Sequence, residues 1–198
     1  MNALRIAPAS LRNSEPILNV LRKELVECKD VLEIGSGTGQ HAVYFAARLP
    51  HIHWQTSDLV KNHADIRAHI VAADLSNVEA PLALDVRDAS IADTAYDAVY
   101  TCNTMHIMSF VAVQAMIPLV ASVLRPGGIF CAYGPFRVQG AFSTQSNQDF
   151  DASLRAANSD RGIRDLESVD ELAEAAGMSR LRSYAMPANN LLHVWIRN

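Results

Sequence analysis

The feature that most constrains this chain is an apolar segment that runs directly into a glycine-rich turn, Val31-Leu32-Glu33-Ile34-Gly35-Ser36-Gly37-Thr38-Gly39-Gln40. The apolar run predicts a buried strand over about 30–34, and the pattern after the turn predicts a helix to about residue 48. Glycines at alternate positions leave no Cβ that would keep a ligand away from the backbone. The N-terminus of the following helix offers free N–H groups to an anionic group, such as an amino-acid carboxylate.

The spacing of the glycines distinguishes between two kinds of adenosine-containing ligand that such a turn could bind. In the dinucleotide fingerprint G-x-G-x-x-G the third glycine would fall at position 40, where this chain has Gln40. The spacing G-x-G-x-G after an acidic residue suits S-adenosylmethionine (SAM) better. We therefore predict that SAM is the cofactor and that five residues of this segment contact it: Glu33, Gly35, Ser36, Gly37 and Gly39.

Two acids later in the chain support this prediction. Asp58 ends the second predicted strand, where a ribose-hydroxyl acceptor is expected, and Asp85 ends the third, where a carboxylate can accept from an adenine amino group. Val86 can offer its backbone N–H to the adenine ring. For each acid taken alone, a role in capping the following helix is an equally open interpretation.

Short apolar runs alternate with helical patterns along the rest of the chain. This alternation predicts an α/β fold with a doubly wound, seven-stranded, mainly parallel sheet and a terminal antiparallel hairpin strand. After the first strand, strands are predicted over about 52–57, 82–84, 98–102, 129–133, 181–185 and 191–196. Other helices are predicted over about 14–27, 62–73, 107–124 and 168–176, with Ser14 and Ser168 as caps of the first and last.

The chain is expected to form a single domain over residues 1–198, since neither a repeat nor a linker interrupts it. Besides the N-terminal helix at about 14–27, one segment breaks the alternation. The insertion at about 136–164 is polar with scattered aromatic residues, a composition that suits a lid over a site.

Composition restricts the partners and the location. A formal net charge of −4 and the lack of a Lys/Arg-rich run predict no nucleic-acid partner. Three cysteines without a CxxC pair indicate buried reduced thiols and a cytoplasmic protein. The apolar segment 107–124 is interrupted by polar residues and proline, so we interpret it as a buried helix and expect no membrane association. The histidines lack ligand spacing, so no metal is predicted, and the chain is expected to be a monomer or homodimer.

Together these segments resemble class I SAM-dependent methyltransferases, whose fold is Rossmann-like. More narrowly, nearly the whole chain is similar to the uncharacterised methyltransferase-like protein twenty-six family. The resemblance implies the methyltransferase fold and the SAM contacts above, and it implies no substrate because that of the family is not established. Three residues depart from the family pattern: Thr56, Phe110 and Arg161. The narrower similarity is carried by Arg12-Asn13, Ser36-Gly37-Thr38-Gly39-Gln40-His41, Trp54, Ser57-Asp58, Asn103, His106-Ile107, Tyr133-Gly134-Pro135-Phe136, Ser146-Asn147, Phe150-Asp151, Leu154-Arg155, Gly162-Ile163-Arg164-Asp165 and Met186-Pro187-Ala188-Asn189-Asn190.

A methyl acceptor should lie beyond the carboxyl ends of the strands, where the strand order switches. That placement predicts Asn103 as a further cofactor contact and His106 as the candidate general base, with Tyr133 as a second candidate catalytic residue. The alternative for His106 is a packed or capping histidine. Six residues are predicted to bind the acceptor: Asn13, Phe136, Asn147, Arg155, Arg164 and Asn189.

Two of these predictions leave alternatives open. Arg155 and Arg164 could hold an acidic acceptor, or they could pair with Asp151 and Asp165 inside the insertion. Asn189 could reach into the site or turn the terminal hairpin.

The sequence therefore predicts an enzyme of the EC 2.1.1 type that transfers a methyl group from SAM to a small-molecule acceptor by in-line displacement. A SAM-binding sensor or partner subunit without catalysis is one alternative, and a protein or RNA methyltransferase is another. The segment Asn103-Thr104-Met105-His106 lacks the Pro-Pro-aromatic continuation that is typical of enzymes that methylate nucleic-acid amino groups. This difference argues against an RNA methyltransferase.

Overall fold

A seven-stranded sheet with helices on both faces forms the centre of the structure, a computed structural model that describes residues 4–88, 91 and 95–198. Its strands are β1 (Asp30–Ile34), β2 (His53–Asp58), β3 (Val78–Ala83), β4 (Tyr96–Cys102), β5 (Leu124–Gly134), β8 (Met178–Met186) and β9 (Asn190–Arg197), and a separate short pair is formed by β6 (Phe136–Arg137) and β7 (Arg164–Asp165). The helices are α1 (Pro8–Glu24), α2 (Gln40–Ala46), α3 (His63–Ala73, after a 3-10 turn at Val60–Asn62), α4 (Phe110–Val123), α5 (Gln145–Ala157) and α6 (Leu166–Ala175).

The strand order is β3-β2-β1-β4-β5-β9-β8. Strands β1 to β5 pair in parallel, whereas β9 is antiparallel to both β5 and β8. The predicted fold is confirmed. The order reverses between β1 and β4, and the carboxyl ends of these two strands therefore border the crevice in which such sheets bind ligands.

The central strands are buried on both faces, which explains their nearly continuous apolar sequence. Successive residues of a strand point to opposite faces, and β1 shows this with two neighbours. Val31 packs in the apolar layer under α1 and α2, and Leu32 packs in the layer under α4 and α6. The sheet is thus fixed from both sides, and its carboxyl edge is a stable support for a site.

Helix α1 begins six residues earlier than predicted, at Pro8 and not near Ser14. Proline is well suited to the first helical turn because its ring fixes φ near the helical value and its missing N–H would have no partner there. The side chain of Ser14 is not a cap; its hydroxyl donates to the carbonyl of Ser10, at 2.5 Å. The earlier start brings the first turn of α1 to the carboxyl edge of the sheet.

Other boundaries also differ from the predictions. Helix α6 begins at Leu166 after Asp165, so the predicted cap residue Ser168 lies inside the first turn. Strand β3 begins at Val78, four residues before its predicted start, and includes Pro81. Proline is tolerated there because β3 is an edge strand, where a missing N–H costs no hydrogen bond.

The insertion contains a helix that the sequence analysis missed. Helix α5 is amphipathic and is capped by Thr144, whose side chain accepts from the N–H of Asn147 at 3.3 Å. The short pair β6–β7 closes the insertion at its base. Whether this segment acts as a lid stays a prediction.

Within the described ranges, no helix combines the length and the apolar character needed to cross a bilayer. The segment predicted as a buried apolar helix is α4, whose inner side packs on the sheet.

Helix α1 should contribute to stability mainly through its inner face. Leu21 is fully buried (0 % exposed), whereas Leu11 of the same helix is 66 % exposed. Replacing Leu21 by alanine removes buried methyl groups and leaves a cavity, so we expect Leu21→Ala to lower the free energy of unfolding by about 2–5 kcal/mol. Leu11→Ala is the control and should change it by about 0.5 kcal/mol or less. Urea denaturation measures both, and equal losses would contradict the described packing of α1.

Candidate active site

The glycine bend after β1 is tied to the end of β2 by hydrogen bonds. The N–H groups of Gly35 and Ser36 both donate to the carbonyl of Ser57, each at 3.0 Å. The N–H of Gly37 donates to Oδ2 of Asp58 at 2.7 Å. The bend is therefore a fixed feature of the protein, and these three N–H groups are already used.

The three glycines of the bend differ in what surrounds them. A Cβ on Gly35 would lie 2.8 Å from the side chain of Thr104, and one on Gly39 would lie 3.0 Å from the backbone of Ile66. A Cβ on Gly37 would meet nothing within 4 Å. Gly35 and Gly39 are thus required by packing within the protein, whereas Gly37 faces open space that a ligand can fill.

A cavity of about 290 Å³ lies beside the bend, at the carboxyl ends of β1 and β4. It brings together five of the predicted cofactor contacts: Glu33, Gly35, Ser36, Gly37 and Asn103. Its remaining lining comes from residues that the sequence analysis did not select: Arg5, Ala7, Ala9, Ser10, Thr38, His41, Asn62 and Cys102. Gly39, Asp58, Asp85 and Val86 do not line it.

One wall of this cavity is the segment that leads into α1. Arg5 forms an ion pair with Asp65, with Nη1 and Oδ2 3.1 Å apart, and the N–H of Ala7 donates to Oε1 of Gln40 at 2.5 Å. Gln40 begins α2 and Asp65 lies in α3, so the segment before α1 is tied to both of these helices. The start of the helix at Pro8 was the one signal in the sequence that could have revealed this wall.

Asn13, predicted to bind the acceptor, joins α1 to α2. Its Oδ1 lies 2.8 Å from Nε2 of His41, and both side chains are buried. Burial lowers the pKa of His41 to about 4, so its ring is neutral at pH 7.

Glu33 is the carboxyl group of the cavity wall. It is 2 % exposed, and its Oε2 accepts a hydrogen bond from Nε1 of Trp54 at 3.1 Å. Burial raises its pKa to about 7, the negative charge of Asp58 adds to this, and the hydrogen bonds from Trp54 and Ser36 oppose it. A cation in the cavity would favour the carboxylate and lower this pKa.

Asp58 lies at the end of β2 as predicted, but its carboxylate is occupied by groups of the protein. Besides the N–H of Gly37, Oδ1 accepts from the N–H of Leu59 at 2.7 Å and from Nδ2 of Asn62 at 2.8 Å. In this structure Asp58 ties together the loop around it, and it is not the N-cap of the 3-10 turn or of α3, where Leu59 and Asn62 hold those positions. Asn62, and not Asp58, lines the cavity. Whether Asp58 contacts a ribose stays a prediction.

Asp85 also forms contacts within its own loop. Its carboxylate accepts from Nε and Nη2 of Arg87, at 2.9 and 2.6 Å. These hydrogen bonds lower the pKa of Asp85 to about 2. The predicted contact of Asp85 and Val86 with an adenine ring stays a prediction.

Two of the predicted site residues follow the carboxyl end of β4: Asn103, which lines the cavity, and His106, which does not. Asn103 has a left-handed backbone (φ 54°), a conformation that asparagine adopts more readily than most residues with a side chain, and its N–H donates to the carbonyl of Tyr133 at 2.9 Å. Non-glycine residues in this conformation are often found at functional sites. His106 is buried and packs edge-on against Phe150, with ring centroids 5.4 Å apart. Burial, and then the charge of Arg164, lower the pKa of His106 to about 4.

The two aromatic residues predicted at the end of the fifth strand, Tyr133 and Phe136, are buried in the protein. Tyr133 lies in the layer under α1, where burial raises its pKa and the nearby amides of Asn13 and Asn190 oppose that effect. Phe136 lies in the opposite layer and packs perpendicular to His193, with centroids 4.7 Å apart. Neither residue lines the cavity.

The insertion residues predicted to bind the acceptor contact other protein groups. Nε of Arg155 donates to Asp151 at 2.7 Å, which is the internal pairing considered above. Arg164 does not pair with Asp165; its Nε donates to the carbonyl of Met105 at 3.0 Å.

Nη2 of Arg164 donates to the carbonyls of Met108 and Asp160, at 2.5 and 2.9 Å, while Asp165 binds Arg137. Arg164 thereby fixes the loop that carries His106. Nδ2 of Asn147 donates to the carbonyl of Asn189 at 3.2 Å, in the turn between β8 and β9.

The sequence matches a family model over residues 4–197, and the description of that family is "Protein of unknown function (DUF938)". The chain therefore belongs to the DUF938 family. This DUF938 protein is also similar in structure to known methyltransferases.

An O-methyltransferase family protein from Burkholderia thailandensis has a TM-score of 0.84 and 19% identity, over 96% of this chain and 57% of that one. A putative O-methyltransferase from Nostoc punctiforme has a TM-score of 0.82 and 14% identity, over 96% and 57%. Human N-acetylserotonin methyltransferase, solved in complex with SAM, has a TM-score of 0.80 and 12% identity, over 96% and 53%. The DUF938 chain thus spans little more than half the length of these proteins, and at such identities the likeness establishes a shared fold.

The burial of Glu33 should make the stability of this DUF938 protein depend on pH. Its pKa is about 7 when folded and ordinarily 4.5, so between these values the folded state holds a proton that the unfolded state releases. The free energy of unfolding should then fall as the pH rises from about 4.5 to 7, by on the order of 3 kcal/mol. Glu33→Gln stays neutral and should lack this loss.

Urea denaturation of both proteins at pH 5 and pH 8 measures the difference. The histidines with lowered pKa values are present in both proteins, so their contributions cancel in the comparison. Glu174→Gln, at an exposed position of α6, is the matched control and should follow the unsubstituted protein. If Glu33→Gln loses as much stability over this range as the unsubstituted chain, the account of Glu33 is wrong.

Proposed function

We propose that this DUF938 protein binds SAM in the cavity beside the glycine bend and transfers its methyl group to a small-molecule acceptor. The observation that carries the proposal is the placement of one buried carboxyl group, Glu33, and an open glycine, Gly37, in a cavity at the strand-order switch. The shared fold with a SAM complex supports the cofactor. The resemblance to the methyltransferase-like protein twenty-six family supports the activity and suggests no acceptor.

The residues of the cavity suit the chemical groups of SAM. Glu33 has one hydrogen bond to Trp54 at Oε2, and it can accept from an ammonium group. The first N–H groups of α2 have no partner within the helix and favour a carboxylate. Gly37 leaves room for the ligand against the backbone. When bound, SAM supplies a methyl group that is activated by a positively charged sulfur.

The protein then has to position the acceptor and exclude water, because an in-line displacement depends on alignment. Asn103 lines the cavity and lies next to His106 at the end of β4. A neutral His106 can accept a hydrogen bond from the acceptor and take its proton as the new bond forms. The buried loop of His106 is held by Arg164, which makes Arg164 a positioning residue in this scheme.

A SAM-binding protein without catalysis is the second candidate. It is favoured by one observation: Arg155, Arg164 and Asn147, expected to bind an acceptor, are all bonded to other groups of the protein. Cytoplasmic location and a monomeric or homodimeric state are further parts of the proposal.

Calorimetry with SAM and with S-adenosylhomocysteine tests the cofactor site. Gly37→Val places a side chain in the open space of the cavity and should abolish binding. Gly177→Val is the matched control because Gly177 also has a positive φ (79°, against 61° for Gly37) and open surroundings. The control carries the same backbone strain but should bind both compounds normally. If Gly37→Val binds SAM with the affinity of the unsubstituted chain, SAM does not bind in this cavity and the proposed site is wrong.

Incubation with labelled SAM and a small-molecule extract separates an enzyme from a sensor. An enzyme should label a low-mass product, and His106→Ala should reduce the labelling rate by about 10²–10⁴-fold while SAM affinity is unchanged. The exposed substitution Leu11→Ala is the control. SAM binding without any labelled product would favour the second candidate, and label in protein or RNA would show a macromolecular acceptor.

A further inference from the structure

Few charged groups line the cavity beside the glycine bend. Among the described residues of its wall, four have side chains that can carry a charge: Arg5, Glu33, His41 and Cys102. Burial lowers the pKa of His41 to about 4 and raises that of Cys102 to about 12, so both are neutral at pH 7. The charge of the wall therefore comes from one guanidinium group, Arg5, and one buried carboxyl group, Glu33.

A wall with one basic and one acidic group suits a ligand that carries both charges close together. The amino-acid part of SAM is of this kind, because the carbon atom that bears its carboxylate also bears its ammonium group. Glu33 is proposed above to accept from the ammonium group. Arg5 is then the charged partner that the wall offers to the carboxylate, and a guanidinium group can bind a carboxylate through two parallel N–H donors.

The ion pair between Arg5 and Asp65 does not prevent such a contact. Nη1 of Arg5 donates to Oδ2 of Asp65 at 3.1 Å, which uses one of the five N–H donors of the guanidinium group. The side chains of Arg5 and Asp65 are 70 % and 34 % exposed. An ion pair in contact with water contributes little to stability, so its rearrangement around a ligand costs little.

The start of α1 adds a favourable potential for an anion at the same part of the wall. Ala7, Ala9 and Ser10, which follow Arg5 in the chain, also line the cavity. The first turn of this 17-residue helix contains no acidic residue, and its N-cap Ala7 provides no side-chain cap. The N–H of Ala9 comes too early in α1 to have a partner within the helix, and the positive end of the helix dipole lies there. A carboxylate bound by Arg5 would be stabilised by this end of the helix.

We propose that Arg5 binds the carboxylate of SAM and thereby distinguishes SAM from adenosyl compounds that lack this group. The inference rests on the proposed SAM-binding function, and it extends the cofactor site from the strand ends to the segment before α1. Arg5 is a specificity-determining residue in this scheme and takes no part in the transfer of the methyl group. Asp65 holds the guanidinium group in the absence of the ligand.

Calorimetry with SAM and with decarboxylated SAM tests this assignment, because the two compounds differ only in the carboxylate. The unsubstituted protein should bind SAM at least about tenfold more tightly than decarboxylated SAM. Arg5→Ala should weaken SAM binding by about tenfold. It should leave the binding of decarboxylated SAM unchanged or make it tighter, because it also removes a positive charge that repels this cationic compound. The preference for SAM should thus disappear.

Arg67→Ala is the matched control, since it removes the same side chain from an exposed position of α3 that does not line the cavity. It should keep the preference for SAM. Asp65→Asn removes the ion pair and leaves Arg5 in place, so it should change SAM affinity by about twofold or less. This variant separates a contact of Arg5 with the ligand from a role of Arg5 in tying the segment to α3.

The outcomes distinguish this inference from the proposed function. If the unsubstituted protein does not bind SAM, the proposed function is wrong. When SAM binds, three results overturn only the assignment of Arg5: equal affinities of the unsubstituted protein for SAM and decarboxylated SAM, an Arg5→Ala variant that keeps the preference for SAM, or a loss of SAM affinity in Asp65→Asn as large as that in Arg5→Ala.

Discussion

The hydrogen bonds between the glycine bend and the end of β2 determine the positions of the other groups in the site. Ser57 accepts two N–H groups of the bend through its carbonyl, and its hydroxyl donates to the carbonyl of Glu33 at 2.6 Å. Because β1 and β2 are in register, Ile34 against Ser57, these bonds form at one place only. A shift by one residue would move every buried side chain of β1 to the wrong face. The location of Glu33 in the cavity is thus a consequence of strand pairing.

An aromatic cluster supports the same region from below. Phe45 of α2 stacks on His41 with centroids 5.1 Å apart and contacts Trp54 and Tyr100, each at 5.7 Å. Trp54 in turn donates to Glu33. Large rings with few rotamers lose little entropy on packing, so they hold a buried carboxyl group in a defined position. The residues beneath the cavity are therefore held in place by packing within the protein, without a ligand.

The sequence predicted what depends on local pattern, and it left undetermined the side-chain contacts that depend on residues distant in the chain. The strands that contain Val31 and Val99, and the bend at Gly37, follow from runs of apolar residues and glycines. The engagement of Asp58 by Asn62 and the bend depends on how the loop closes. The hydrogen-bond partners of Arg164 lie up to 59 residues away in the sequence, and no pattern of residue spacing predicts them.

The segment before α1 illustrates how stability and ligand affinity become linked. Ala7 and Ser10 form part of the cavity wall, yet their position is set by the same helix whose inner face holds Leu21 in the core. A core defect in α1 would displace the wall while the glycine bend stays intact. In a screen of random variants for ligand binding, such a substitution would be found among those that lower affinity, although the substituted side chain does not contact the ligand.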